Sequence, residues 1–179
     1  MNKIKIFVPA LSFLFVFAAC NQAEKQEQET TQSDSINVSK PVEIELSDAN
    51  IDLAYDQYLK LKDVLVLSDS LQTQTAAKEL ASSLAKVSGS ENTAKLASDI
   101  ANESSLSKQR ILFTSLSNEL INMFKKAEIA SGSMFVQYCP MANEGEGGYW
   151  LASETEIRNP YYGDEMLNCG EVKETIEKK

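Results

Sequence analysis

The chain has 179 residues, with 26 acidic against 17 basic side chains and no histidine. Without histidine it cannot form a Ser-His-Asp or Cys-His catalytic group, or a zinc site that uses imidazole. Its acidic balance, with no cluster of Lys and Arg, argues against nucleic-acid binding, because phosphate contacts need such clusters. We therefore expect no enzymatic activity and no nucleic-acid partner.

The first predicted element is an export signal at residues 1–19. Lys3 and Lys5 precede an apolar run from Ile6 to Phe17, which is too short to cross a bilayer of roughly 30 Å as a helix. The run ends in Phe17-Ala18-Ala19-Cys20, which resembles the lipobox of bacterial lipoproteins, although these usually have Leu in the place of Phe17. We predict that Cys20 is lipid-modified and anchors the protein in the cell envelope, at the periplasmic face or in the outer membrane. The alternative is an ordinary secretory signal, with Cys20 incidental.

Residues 20–46 are predicted to be the lipidated Cys20 followed by a disordered tether. They are rich in Gln, Glu, Thr and Ser and have almost no large apolar side chains. Such a segment cannot bury enough surface to offset the entropy lost on ordering. A flexible chain of about 25 residues reaches roughly 30 Å on average, so the tether would hold a domain of residues 47–179 away from the membrane.

Four amphipathic helices are predicted between Ser47 and Met123. Apolar residues recur there at spacings of three and four, and each run follows residues that can cap a helix. The predicted starts are Ser47 or Asp48, Ser68-Asp69, Ser90, and Ser104 or Ser105. Each apolar stripe is narrow, so each helix must pack on others to be stable. With short connections, the predicted fold class is mainly α: an antiparallel four-helix bundle.

Residues 133–172 have a different pattern. Met134 to Tyr138 is predicted to be a strand, Tyr149 to Leu151 a second one, and Gly170 to Ile176 a final strand or short helix. Glycine and proline mark the turns between them. The bundle is therefore expected to be followed by a small β-hairpin or loop cap.

This C-terminal cap carries two sulfur motifs, Cys139-Pro140-Met141 and Met166-Leu167-Asn168-Cys169. With Cys20 assigned to lipid, two thiols remain, which excludes a four-cysteine zinc or iron–sulfur site within one chain. One interpretation is a Cu(I) site formed by Cys139, Met141, Met166 and Cys169, because thiolates and thioethers are soft ligands. The other is a Cys139–Cys169 disulfide, common in exported proteins, with both methionines as core filler. Both require the two thiols to be neighbours.

The same segment resembles the bacterial domain of unknown function 3347. The resemblance rests on Tyr138-Cys139-Pro140-Met141, Gly148-Tyr149-Trp150-Leu151, Ile157 to Gly163, Met166 to Gly170 and, in the first helix, Asp56 to Asp69; it spans about Ile51 to Val172. The family occurs as small exported proteins and as an extra domain on periplasmic adaptors of heavy-metal efflux pumps. The Cys-Pro-Met triplet also resembles a short metal-binding motif of copper-efflux adaptors. That motif normally continues with His-Pro, and here Ala142-Asn143 follows.

Two functions are consistent with these patterns. The first is a non-enzymatic exported lipoprotein that binds or buffers soft metal, most of all copper, near a heavy-metal efflux system whose components would be its partners. The second is a disulfide-stapled interaction module of a cell-envelope complex that binds no metal.

Overall fold

Four α-helices make up about half of residues 44–178, the part of the chain that this computed structural model describes. Each begins directly after one of the predicted capping residues, and the Asp48 and Asp69 side chains accept hydrogen bonds from backbone N–H groups of the first turn. The mainly-α class is thereby confirmed. Within the described residues, no helix is long and apolar enough to span a membrane. The helices are α1 (Ala49–Val66), α2 (Ser70–Leu84), α3 (Glu91–Asn102) and α4 (Leu106–Phe124).

A two-stranded antiparallel sheet opens the described fold. Strand β1 (Glu45–Leu46) pairs with β2 (Ile129–Ser131), which follows α4. Ile44, Leu46 and Ile129 are buried in the main core. The predicted tether, 20–46, therefore extends too far by three residues, because Ile44 and Leu46 are part of the folded core. Residues 1–43, with the predicted signal and Cys20, lie outside the described part of the chain.

The C-terminal segment forms a second antiparallel sheet of three strands. They are β3 (Ser133–Cys139), β4 (Gly148–Ala152) and β5 (Glu171–Glu177), in the order β4-β3-β5. Cys139, the last residue of β3, lies opposite Gly148, the first of β4. The sequence predicts a hairpin or loop cap here, and the structure differs in that β5 pairs with the other side of β3. Short 3₁₀ turns lie at Asn143–Gly145 and Gly163–Glu165.

Two tyrosine hydroxyls join β4 to the rest of the core. The Leu151 N–H donates to the Tyr58 hydroxyl at 3.0 Å, and the Tyr161 hydroxyl donates to the Tyr149 carbonyl at 2.8 Å. The Phe113 ring contacts both aromatic rings, with centroids 5.6 Å from Tyr58 and 5.8 Å from Tyr161. Burial raises the pKa of both hydroxyls well above the usual range, so they stay protonated. Helix α1, helix α4 and the second sheet are thus parts of one core.

A buried lysine fixes the segment that leaves β4. The Lys62 side chain is 2% exposed, and its Nζ lies 2.6 Å from Glu154 and 2.9 Å from the more exposed Asp63. From β3, the Gln137 side-chain amide donates to the carbonyls of Glu154 at 2.8 Å and Glu156 at 3.2 Å. An ionised lysine is tolerated in a core only when it is paired in this way. Helix α1 therefore holds the start of the segment that leads to Cys169.

We expect Lys62→Ala to lower the free energy of unfolding by roughly 2–3 kcal/mol, less than a fully buried pair because Glu154 is partly exposed. Alanine suits a helix interior, so the loss would come from the ion pair and the buried stem of the side chain. Urea unfolding at pH 7 measures the effect. The matched control is Lys78→Ala, at an exposed position of α2.

Acidification should reduce this difference. Burial by itself would raise the pKa of the Glu154 carboxyl, but the charge and hydrogen bond of Lys62, together with Ser153, lower it below its ordinary value. The stabilising contribution is therefore complete above the unfolded pKa of about 4.3 and is lost as the pH falls through the lower folded pKa. If the loss caused by Lys62→Ala does not shrink as the pH falls below about 4.3, Lys62 acts through packing alone.

Candidate functional site

The two predicted thiols meet at the end of the second sheet. The Sγ atoms of Cys139 and Cys169 lie 2.7 Å apart, although 30 positions separate the residues in the chain. Cys139 is fully buried, Cys169 is half-buried, and both are free thiols in this structure. The structure thus has the juxtaposition that both the disulfide and the metal interpretation require.

Hydrogen bonds of the Asn159 side chain and backbone fix the position of Cys169. The Asn159 side-chain amide donates to the Cys169 carbonyl at 2.8 Å, and its backbone N–H donates to the Leu167 carbonyl at 2.8 Å. The side-chain oxygen accepts the Tyr161 N–H at 2.8 Å, which shapes the turn at Pro160. Asn159 is fully buried, so each of these bonds replaces water that the site excludes. Sequence reasoning assigned Asn159 only to a turn; its place in Asn159-Pro160 was the available signal.

Gly170 allows the chain to pass close to the sheet directly after Cys169. Its φ is +150°, and a Cβ atom there would lie 2.9 Å from the Trp150 ring and 3.0 Å from the Tyr138 carbonyl. Any other residue would push the loop and Cys169 away from β3. Trp150 is itself fully buried and meets the Tyr161 ring edge-on at 6.0 Å between centroids. Trp150 and Tyr161 are therefore core residues of this segment, whereas Tyr149 is exposed.

The Cys-Pro-Met turn contributes a backbone donor to the thiol pair. The Met141 N–H donates to the Cys169 sulfur. The Met141 carbonyl accepts the Tyr162 hydroxyl at 2.5 Å, which anchors the turn to the opposite segment. The hydrogen bond from Cys139 and partial burial raise the pKa of the Cys169 thiol, and the Met141 N–H offsets part of this shift. The thiol of Cys169 is thus stabilised in its protonated form while Cys139 stays beside it.

The two predicted thioether ligands lie outside the main core. Met141 is 51% exposed, and Met166 is half-buried. The Met166 carbonyl accepts the Cys169 N–H at 3.0 Å, so the two residues share one turn. Exposure of Met141 contradicts the expectation that both methionines fill the core. The Met141 side chain thus has no packing role in the main core.

Acidic and sulfur side chains do not assemble into a larger cluster. Among residues 44–178, no three His, Cys, Asp or Glu side chains come close enough together to hold a metal ion. Zinc needs four such ligands in a structural site, and Ca²⁺ needs six to eight oxygens.

The family resemblance is confirmed for the helical part of the chain. Residues 54–132 match the model of the family described as "Protein of unknown function (DUF3347)". The matched residues include most of α1, all of α2 to α4, and β2, and they end before Cys139. Neither a curated protein nor a solved structure matches the chain.

Proposed function

We propose that this protein is a non-enzymatic lipoprotein of the cell envelope that binds soft metal, Cu(I) above all, through the reduced Cys139–Cys169 pair. The observation that supports the proposal is the 2.7 Å contact between two free thiols at the end of β3. In this proposal the four helices form an antiparallel bundle, and the C-terminal strands carry the Cys/Met motif. Heavy-metal efflux components are the proposed partners, on the basis of the family resemblance.

Cu(I) suits this pair because it accepts as few as two soft ligands. Met141 and Met166 lie two and three positions from the thiols in the chain, and we propose that they add thioether ligands without adding charge. An ion between two sulfurs, with metal–sulfur bonds of roughly 2.3 Å as in zinc thiolates, separates them by up to about 4.6 Å. The two sulfurs must therefore move apart from their present contact to admit an ion.

Competition against a Cu(I) chelator tests the proposal. All proteins carry Cys20→Ala, so that the third cysteine does not contribute ligands, and all are kept reduced. We expect the Cys139→Ser/Cys169→Ser variant to lose copper at a far lower chelator concentration than the protein with both thiols. If both lose copper at the same concentration, the site does not exist.

The proposed anchor has its own test. Replacing Cys20 by alanine should move the mature protein from the membrane to the soluble fraction, because a lipid-modified cysteine is the proposed attachment. Fractionation of cells that express each form, followed by detection of the protein, measures the distribution. A matched Cys169→Ala variant should stay with the membrane. Wild-type membrane association of Cys20→Ala would disprove the anchor.

A disulfide-stapled interaction module is the second candidate. The observation that favours it is the same 2.7 Å distance between the Cys139 and Cys169 sulfurs. Forming an S–S bond of about 2.05 Å moves the sulfurs less than admitting a metal ion between them would. Counting the free thiols of protein taken from the cell envelope under rapid alkylation separates the two. Two protected thiols with no bound metal would favour this candidate, and reduced thiols would favour the first.

A further inference from the structure

We propose that Cys169 is the sulfur at which external disulfides enter this site, and that Cys139 resolves the mixed disulfide that forms there. The inference concerns the regulation of the sulfur pair described above, since only the reduced pair can hold a metal ion. It rests on that same pair but does not require metal binding. The substrate class is a small disulfide or the exposed disulfide of a partner protein.

The first argument is the unequal accessibility of the two sulfurs. Cys139 is fully buried at the end of β3. Across from it, the space beside Gly148 is filled: a Cβ atom there would meet the Tyr161 ring at 2.6 Å and Ala142 at 3.0 Å. Cys169 is half-buried and lies in the loop before β5. A reagent larger than water can therefore reach Cys169 in the folded protein and cannot reach Cys139.

The second argument is that Cys169 is held in place while it reacts. The Asn159 side-chain amide donates to the Cys169 carbonyl, and the Cys169 N–H donates to the Met166 carbonyl. The Met141 N–H donates to its sulfur. The Cys139 sulfur is in contact with the Cys169 sulfur. An adduct at Cys169 thus forms next to its resolving thiol.

The reaction balances in two displacements. In the first, the fraction of Cys169 that has lost its proton reacts: its thiolate bonds to one sulfur of the external disulfide, the external S–S bond breaks, and the leaving sulfur takes up a proton. In the second, the Cys139 sulfur bonds to the Cys169 sulfur, the bond to the adduct breaks, and the second thiol leaves with the Cys139 proton. The external disulfide gains two electrons, and the two cysteines become one disulfide.

Glutathione disulfide is the probe, applied without metal to the mature chain carrying Cys20→Ala. With both thiols present, the protein should lose two thiols and retain no adduct. Cys139→Ser should accumulate one glutathione on Cys169, because no resolving thiol remains. Cys169→Ser should react at least about 100-fold more slowly than Cys139→Ser, since Cys139 becomes reachable only when the fold opens. In denaturant both single variants should react alike. Intact-mass measurement over time follows each species.

Near-wild-type circular dichroism confirms that each variant is folded. A second measurement needs no variant at the pair: brief alkylation of the folded protein with iodoacetamide, followed by peptide mapping, should place the first label on Cys169. Equal reaction of folded Cys169→Ser and Cys139→Ser, or a first label on Cys139, would overturn the inference. Failure of copper binding with this exchange pattern intact would contradict only the proposed function.

Discussion

Replacing either Cys139 or Cys169 by serine should weaken Cu(I) binding by a factor of roughly 10²–10³. A structural zinc site with four protein ligands gains about 10–16 kcal/mol from its metal, which is about 2.5–4 kcal/mol per ligand. Every 1.4 kcal/mol is about tenfold in Kd, and serine offers no soft donor in place of the thiolate. Chelator competition with the reduced protein in the Cys20→Ala background gives the Kd of each variant.

The methionine variants define how far the site extends. Met166→Leu and Met141→Leu should each weaken binding by about tenfold or less, because the thioethers only assist the thiolates. Both keep the size of the side chain, so the fold should not change. Met123→Leu is the control, since Met123 lies in α4 beside Ile51 and Val87, away from the motif. If the Met141 and Met166 variants bind as tightly as this control, the site consists of the two thiols alone.

Oxidation of the Cys139–Cys169 pair should raise the free energy of unfolding by roughly 3–4 kcal/mol relative to the reduced protein. The bond would close a loop across the 30 positions between the cysteines. It would restrict the unfolded chain, and the entropy of a closed loop of this length predicts that magnitude. The folded state needs little change, because the sulfurs are already in contact. Urea unfolding of the oxidised and reduced Cys20→Ala protein measures the difference.

Two comparisons separate the disulfide from other effects of the reductant. The Cys139→Ser/Cys169→Ser variant should unfold at the same urea concentration with and without reductant. Lys62→Ala should lower the free energy of unfolding by the same amount in the oxidised and in the reduced protein. This follows if the contact between the thiols does not depend on the Lys62–Glu154 ion pair. Equal midpoints for the oxidised and reduced protein would contradict a stabilising bond.

The helices could be predicted because the information that specifies them is local. An aspartate or serine followed by apolar residues at spacings of three and four identifies both the start of a helix and its buried face. This pattern predicts caps at Asp48 and Asp69, and both side chains accept the expected hydrogen bonds from the first turn. The end of the tether was less predictable. The burial of Ile44 and Leu46 depends on β2, which lies more than 80 residues further along the chain.

The sequence by itself determined which sulfur chemistry is available: two thiols beside two thioethers, with no histidine to compete. Only the tertiary structure decided how these groups are arranged, because the position of each side chain depends on residues distant in the chain. Asn159 and Gly170 bring Cys169 to Cys139, whereas Met141 remains on the surface. Burial of Lys62 likewise requires Glu154, which lies 92 positions away. Such contacts follow from packing and loop closure over long separations, which no local pattern encodes.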